Sequence, residues 1–277
     1  LNVNMTSEED YRSFLSYEDF PELGGEKAQT VVVQQQNRLH EKWADAVKHG
    51  AMPALLWNPL NYYFTPPMES LEAYREALSR EHPGILAQPW DNPSAPLLGK
   101  DRYNLCPSSP ATRQYVESGV RELLRTFPEL EILVFHLSDV GGELLCGCDK
   151  CKDYPYFDRF IDYANLIIQT ARGVNPKIRL MITNHGVTFL FPMFCPQLRD
   201  DPTVGFGEVM RRLGKSVEAV VTPVTNPPGF DIQPWYAPDS TLLGKGFPVY
   251  FWFQYDEPGG PGLVAPISPV MTHLSWH

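Results

Sequence analysis

Two carboxylates follow the most apolar strand-like segment of this 277-residue sequence. Residues 130–137 predict a buried strand, and Asp139 and Glu143 come just after it, with Gly141 and Gly142 between them. Cleavage of a glycosidic bond needs one carboxyl group that gives a proton to the leaving oxygen and a second group that stabilises or attacks the sugar carbon. Glycine lets the main chain approach a ligand, and a neighbouring carboxylate raises the pKa of a proton donor. The segment therefore predicts a catalytic acid pair. The competing interpretation is a loop cap at Asp139 and a solvated Glu143.

A second carboxylate pair, Asp256 and Glu257, follows another predicted strand at residues 247–253. If Glu143 is the proton donor, either member of this pair offers the partner group across the sugar ring. The same pair precedes Pro258 and two glycines, which is also typical of a turn. Both interpretations stay open at this point.

Polar and aromatic residues are concentrated near the ends of the predicted strands. Aromatic rings pack against the apolar faces of sugars, and histidine or amide side chains can hydrogen-bond to hydroxyl groups. We predict substrate contacts from residues of these types: Trp57, Asn58, Tyr62, Trp90, His136, Asn184, His185, Trp252 and Tyr255. Core packing competes for each single aromatic residue, and loop capping competes for His185.

Four of the five cysteines form a pattern that suits a metal ion. Cys146, Cys148 and Cys151 make a C-x-C-x-x-C cluster, and Cys106 lies in an earlier loop that a barrel would place next to it. Four thiolates could surround a structural zinc ion, and no cofactor is expected for catalysis. One or two disulfides, or reduced thiols, are the alternatives. Cys195 is expected to be buried and unpaired.

Strand-like and helix-like segments alternate along the chain. The predicted strands are residues 52–57, 85–90, 130–137, 177–183, 217–222 and 247–253. The predicted helices are residues 28–49, 68–80, 110–126 with Ser109 as the N-cap, 156–173 and 206–213. This alternation predicts an α/β fold with a parallel sheet. Connections after strands are long and those after helices are short, which favours a (β/α)8 TIM-type barrel with its site at the carboxyl-terminal ends of the strands. Six strands are too few, so the barrel is incomplete or strands near the ends are missed; an open doubly wound sheet is the alternative.

The domain prediction is an amino-terminal arm at residues 1–27, or the remains of a preceding element, and a catalytic barrel at residues 28–277. The chain begins at Leu1 without an initiator Met or a visible signal peptide, so we expect a trimmed product or a piece of a longer chain. Its compartment stays open between the cytoplasm and a secreted or periplasmic location.

The amino-acid composition limits the kinds of molecule that the chain is expected to bind. The formal net charge of −10 repels phosphate backbones and argues against nucleic acid. No apolar run reaches the roughly 18 residues that span a bilayer. A glycan or small sugar is the expected ligand.

The segment from Asn104 through Pro110, the strand ending in His136-Leu-Ser-Asp139 and the C-x-C-x-x-C cluster together resemble bacterial glycoside hydrolases of the TIM-barrel superfamily. The similarity is to α-glucuronidase-like and β-N-acetylhexosaminidase-like proteins, and it covers residues 100–185. It implies a strand that ends near a histidine and an acidic pair, and a substrate that contains hexosamine or uronic acid. In hexosaminidases the acidic residues are adjacent after the glycines, whereas here the glycines separate Asp139 from Glu143. The resemblance therefore leaves the role of each residue and the substrate-assisted mechanism open.

Two hypotheses follow. The first is a glycosidase that uses carboxylate acid/base catalysis, and the second is a non-catalytic carbohydrate-binding barrel. A metal-dependent hydrolase is disfavoured, because the sequence has no H-E-x-x-H helix and a four-thiolate site leaves no open position on the metal.

Overall fold

The computed structural model describes residues 3–7, 14–23, 26–60, 71–89, 104–137, 144–183, 206–225 and 249–254. The strands are β1 (Val3–Ser7), β2 (Met52–Trp57), β3 (Ile132–Phe135), β4 (Arg179–Thr183), β5 (Ala219–Thr225) and β6 (Val249–Gln254). The helices are α1 (Glu26–Lys48), α2 (Leu71–Glu81), α3 (Pro110–Thr126), α4 (Asp149–Lys152), α5 (Tyr156–Val174) and α6 (Phe206–Leu213). None of the helices in these ranges is long and apolar enough to cross a bilayer.

The six strands form one parallel sheet in the order β1-β2-β3-β4-β5-β6. Each new strand is added on the same side, so the order never reverses as it does in a doubly wound sheet. This sequential winding is compatible with a TIM-type fold. No pairing of β1 with β6 is recorded within the described ranges, and closure into an eight-stranded barrel stays a prediction.

The two faces of the sheet have different neighbours. One face carries Leu55, Leu133, Phe135 and Ile182, and these residues belong to a large core that includes the helices. The opposite face carries side chains that pack mainly on one another across β1 to β5 and include no helical residue: Val3, Ala54, Leu56, Ile132, Val134, Met181 and Ala219. Within the described ranges, helices therefore cover one face of the sheet and strand residues form the core on the other, an arrangement compatible with the wall and interior of a barrel.

Helices α1, α2, α3, α5 and α6 contribute buried apolar side chains to the core on the helix-covered face of the sheet. In α5, the fully buried side chains include Phe160, Tyr163 and Ile167, which recur at helical spacing. Helix α3 begins with Pro110, whose fixed φ suits the first helical position. Ser109 occupies the predicted N-cap position, but its side chain makes no capping hydrogen bond; its carbonyl accepts from Thr112 N at 3.1 Å instead.

The prediction of a strand at residues 85–90 was wrong. Residues Leu86 and Leu105 form a single antiparallel bridge, with Ala87 N donating to Asn104 O at 2.7 Å and Cys106 N to Ile85 O at 2.7 Å. This segment therefore pairs with the chain around Cys106 and does not enter the sheet. A short apolar run ending in proline indicates burial without indicating which partner the main chain takes.

Part of the stretch predicted as an amino-terminal arm forms a strand. Residues 3–7 pair in parallel with β2, from Val3 opposite Met52 to Ser7 opposite Leu56. Thr6, which faces the helices, accepts a hydrogen bond at 3.2 Å from the indole nitrogen of Trp43 in α1. Both side chains are fully buried. The strand escaped prediction because only two apolar residues alternate with polar ones over five positions.

Candidate active site at the carboxyl ends of the strands

Three buried polar residues line up across the carboxyl-terminal ends of β2, β3 and β4. The register pairs Trp57 with Phe135 and Phe135 with Ile182, so the next residues, Asn58, His136 and Thr183, occupy neighbouring positions. We call these three residues the polar row. Adjacent strands lie about 4.8 Å apart, so the row spans about 10 Å of the sheet.

The polar row faces the interior side of the sheet. Side chains alternate between the two faces of a strand, and the residues two positions earlier, Leu56, Val134 and Met181, all belong to the strand-only core. Its members are almost completely enclosed: Asn58 is 0%, His136 8% and Thr183 1% exposed. A polar layer thus follows the apolar layer of Leu56, Val134 and Met181, at the end of the strands where TIM-type enzymes carry their sites.

The Asn58 side chain shapes the turn that leaves β2. Its Oδ1 atom accepts a hydrogen bond from Leu60 N at 3.0 Å, which is a local turn typical of asparagine. This bond fixes one of the amide atoms within the chain and directs the following residues away from the strand.

Trp57 lies on the helix-facing side and is 2% exposed. Its ring packs against α3 so closely that a Cβ added to Gly119 would lie 3.2 Å from Trp57 Cη2. The ring is therefore a core residue in this structure, and it is enclosed by protein on the face opposite the polar row. The predicted contact between Trp57 and a sugar gains no support from this position.

The structure brings the four predicted cysteines together. The Sγ atoms of Cys106, Cys146, Cys148 and Cys151 all lie within 4.8 Å of one another. Cys106 Sγ is 3.6 Å from Cys146 Sγ and 3.8 Å from both Cys148 Sγ and Cys151 Sγ. None of the four forms a disulfide, and Cys148 alone among them is partly exposed. These four residues are called the cysteine cluster below.

Hydrogen bonds favour one thiolate within the cysteine cluster. The contact with Cys106, followed by main-chain N–H groups of Cys148 and Gln88, lowers the pKa of Cys146 to about 5. The Cys106 pKa moves above its ordinary value because it shares that contact and is buried. Burial also raises the pKa of Cys151. A negative charge is thus most stable on Cys146, whose sulfur accepts from Gln88 N at 3.3 Å.

Side chains of helix α5 donate hydrogen bonds to the chain segments on either side of the cysteine cluster. The guanidinium of Arg159, 6% exposed, donates to the carbonyl oxygens of Leu144 at 2.7 Å, Tyr154 at 2.6 Å and Cys151. One turn later, the hydroxyl of Tyr163 donates to Pro107 O at 3.0 Å. The helix therefore fixes the chain beside Cys106 and the chain on both sides of Cys151.

Several predicted site residues lie outside the described residues. These are the carboxylates Asp139, Glu143, Asp256 and Glu257, together with Tyr62, Trp90, Asn184, His185 and Tyr255; the strand β6 contains Trp252, whose side chain is also outside the description. Cys195 is outside it as well. Asp139 and Glu143 fall in the gap between Leu137 and Leu144. For all of these residues the assigned roles stay predictions.

Two residues of interest carried no motif in the sequence. Thr183 is the last residue of an apolar strand, and Arg159 is one charged residue in an amphipathic helix. The alternation Met181–Thr183 is the signal that could have assigned Thr183 to the interior face. Nothing in the sequence marks Arg159, because its acceptors are carbonyl groups of the main chain.

No protein-family model and no curated protein sequence matches the chain. Among solved structures, an α-galactosidase from Lactobacillus brevis is similar at 12% identity and a TM-score of 0.42, covering 79% of this chain and 29% of the other. A GH36 α-galactosidase from Geobacillus stearothermophilus gives 14% identity and a TM-score of 0.37, covering 70% and 26%. A variant of the latter in complex with stachyose gives 12% and 0.40, covering 83% and 31%. The chain thus spans about a third or less of these enzymes, and at such scores they bear on neither its substrate nor its mechanism.

Proposed function

We propose that this chain forms the barrel domain of a glycoside hydrolase that cleaves a hexosamine- or uronic-acid-containing glycan by carboxylate acid/base catalysis. The proton donor in this proposal is Glu143, with Asp139 beside it and Asp256 or Glu257 as further partner groups. No cofactor takes part in the chemistry.

The observation that carries the proposal is the polar row. Three polar side chains lie on three neighbouring strands, each two residues after an apolar residue of the strand-only core, at the carboxyl-terminal end of the sheet. His136 precedes Asp139 by only three residues, so the chain that bears the acid pair leaves from this row. Hydroxyl, imidazole and amide groups are suited to hydrogen-bond the hydroxyl groups of a sugar.

Hydrolysis of a panel of aryl glycosides tests the proposal, with hexosaminides and glucuronides included. We expect Glu143→Gln to lower kcat/KM on the active substrate by at least about 100-fold, because a positioned proton donor typically contributes 10² to 10⁴ in rate. Glu131→Gln is the matched control, since Glu131 is exposed and directly precedes β3, at the end of that strand opposite to the one that leads to Glu143. Equal activity of the two variants would remove Glu143 from the mechanism.

The alternative, a non-catalytic carbohydrate-binding barrel, rests on the same polar row and differs in its outcome. It predicts saturable binding of a mono- or disaccharide by calorimetry, with no hydrolysis on any member of the panel. Binding that is unchanged in Glu143→Gln would fit this alternative. A chain that neither binds nor cleaves any of these sugars would contradict both functions.

A further inference from the structure

The spacing of the cysteine cluster matches a tetrahedral metal site. Four thiolates around zinc, each at about 2.3 Å from the ion, lie about 3.8 Å from one another. The recorded sulfur separations from Cys106 are 3.6, 3.8 and 3.8 Å. A disulfide needs a separation of about 2.05 Å, so these sulfurs would have to move closer to form one.

We propose that Cys106, Cys146, Cys148 and Cys151 bind one structural zinc ion. All four ligands come from the protein, which leaves no coordination position for water or substrate. The ion therefore stabilises local structure and takes no part in a reaction. Main-chain N–H groups already point at the sulfur of Cys146, from Gln88 at 3.3 Å and Cys148 at 3.5 Å, and such bonds are typical of the surroundings of thiolate ligands.

The buried charge of Arg159 favours an anionic cluster beside it. A zinc ion with four thiolates carries a net charge of −2. Within the described part of the chain, the acceptors of the guanidinium are three carbonyl oxygens, which bind its N–H groups without neutralising its charge. A buried cation is costly unless an opposite charge lies near it. Because one acceptor is the carbonyl of Cys151, itself a proposed ligand, the metal centre supplies that opposite charge.

The zinc site joins two distant parts of the chain, the residues around Cys106 and the segment 146–151. Cys106 lies before α3, Cys146 and Cys148 lie before α4, and Cys151 lies within it. The segment of residues 85–88 is attached to the same cluster through Gly147 N, which donates to Gln88 O at 3.0 Å. The ion thereby fixes the chain that begins at Leu144, one residue after Glu143. This consequence for Glu143 rests on the proposed function, whereas the metal site does not.

Metal analysis of the purified full chain tests the site. We expect one zinc per chain by elemental mass spectrometry, and after exchange with Co²⁺ the absorption spectrum of a tetrahedral tetrathiolate complex. Cys148→Ser changes the most exposed ligand and is expected to lose the bound metal, whereas Cys195→Ser, a change at the cysteine that is not a proposed ligand, is expected to keep it. A wild-type chain that takes up no zinc or cobalt, or that shows disulfides linking the four cysteines under non-reducing conditions, would overturn the proposal.

The rate at which a chelator removes zinc tests whether Arg159 stabilises the metal site. We expect Arg159→Met to raise that rate at least about tenfold, in line with the effect of losing a residue that supports metal ligands. Arg159→Lys keeps the charge and is expected to release zinc more slowly than Arg159→Met. Arg172→Met, on the exposed side of the same helix, is the control. Equal rates for all three variants would show that Arg159 does not support the ion.

The metal site and the proposed function fail separately. Glu143→Gln is expected to retain the full zinc content while losing hydrolysis. Zinc binding without hydrolysis on any glycoside would preserve the metal site and reject the enzyme. Hydrolysis by a wild-type chain that contains no metal would preserve the enzyme and reject the site.

Discussion

The main-chain nitrogen of His136 donates a hydrogen bond to the carbonyl oxygen of Trp57 at 3.1 Å, yet the side chains of these two residues are assigned to opposite faces of the sheet. Trp57 packs among the helices. His136 follows Val134, which belongs to the strand-only core. Because side chains alternate along a strand, one position of strand register separates a core ring from a residue of the candidate site.

Removing the hydroxyl group of Thr183 from the polar row should lower activity without unfolding the protein. We expect Thr183→Val to lower kcat/KM on the glycoside by about tenfold, the effect of removing about one hydrogen bond from a bound substrate. The measurement is steady-state kinetics alongside thermal unfolding. Thr6→Val serves as the comparison, because Thr6 is a buried threonine on the opposite face of the same sheet. If both variants lose activity equally, the row has no special part in the site.

The hydrogen bond between Thr6 and Trp43 predicts a cost in stability. Thr6→Val removes the acceptor and leaves the buried indole N–H without it, which should lower the free energy of unfolding by about 1–3 kcal/mol. Thr6→Ser keeps the hydroxyl and should cost less. Urea denaturation followed by Trp fluorescence measures both. Equal midpoints for Thr6→Val and the wild type would show that this bond contributes nothing to the attachment of β1.

Close packing at Gly119 predicts a difference between two helical glycines. A Cβ at this position would lie 3.0 Å from Tyr17 Cε1 and 3.2 Å from Trp57 Cη2, whereas a Cβ at Gly173 meets nothing within 4 Å. Both changes to alanine gain the same helix propensity. We therefore expect Gly119→Ala to be less stable than Gly173→Ala by about 1–3 kcal/mol, the cost of overpacking.

Chemical denaturation of the two glycine variants measures that difference. Gly173→Ala should exceed the wild type in stability by up to about 1 kcal/mol. The assigned contact between α3, Tyr17 and Trp57 is contradicted if Gly119→Ala gains as much.

The hydrogen-bonded carboxyl group of Glu208 should make the free energy of unfolding depend slightly on pH. The hydrogen bond from Arg211, and then that from Arg212, lowers the pKa of Glu208 below its ordinary value despite partial burial. A group with a lowered folded-state pKa stabilises the fold above its unfolded pKa, and this contribution is lost as the pH falls through the folded value. Glu208→Gln should thus cost under about 1 kcal/mol at neutral pH, given the exposure of these ion pairs. Thermal unfolding from neutral to acidic pH should show the two proteins converging; a constant difference would refute the assignment.

Periodicity located most of the elements because each has a local signal. The predicted helices at residues 206–213 and in the region of 156–173 correspond to α6 and α5, and five of the six predicted strands occur in the sheet. The wrong strand prediction at residues 85–90 and the missed strand β1 both depended on which segment the main chain pairs with. An apolar run shows that a segment is buried, but the choice of partner strand depends on contacts made far away in sequence.

The sequence by itself determined most of the strands and helices in their order, the parallel α/β class and the local cysteine spacing, since all of these depend on residues near one another in the chain. Tertiary structure alone decided that Cys106 meets a cluster 40 residues later, that Asn58, His136 and Thr183 share one row, and that Trp57 faces away from it. The physical reason is that register and the phase of side-chain alternation fix the facing of every strand residue, and a shift of one position would reverse them all.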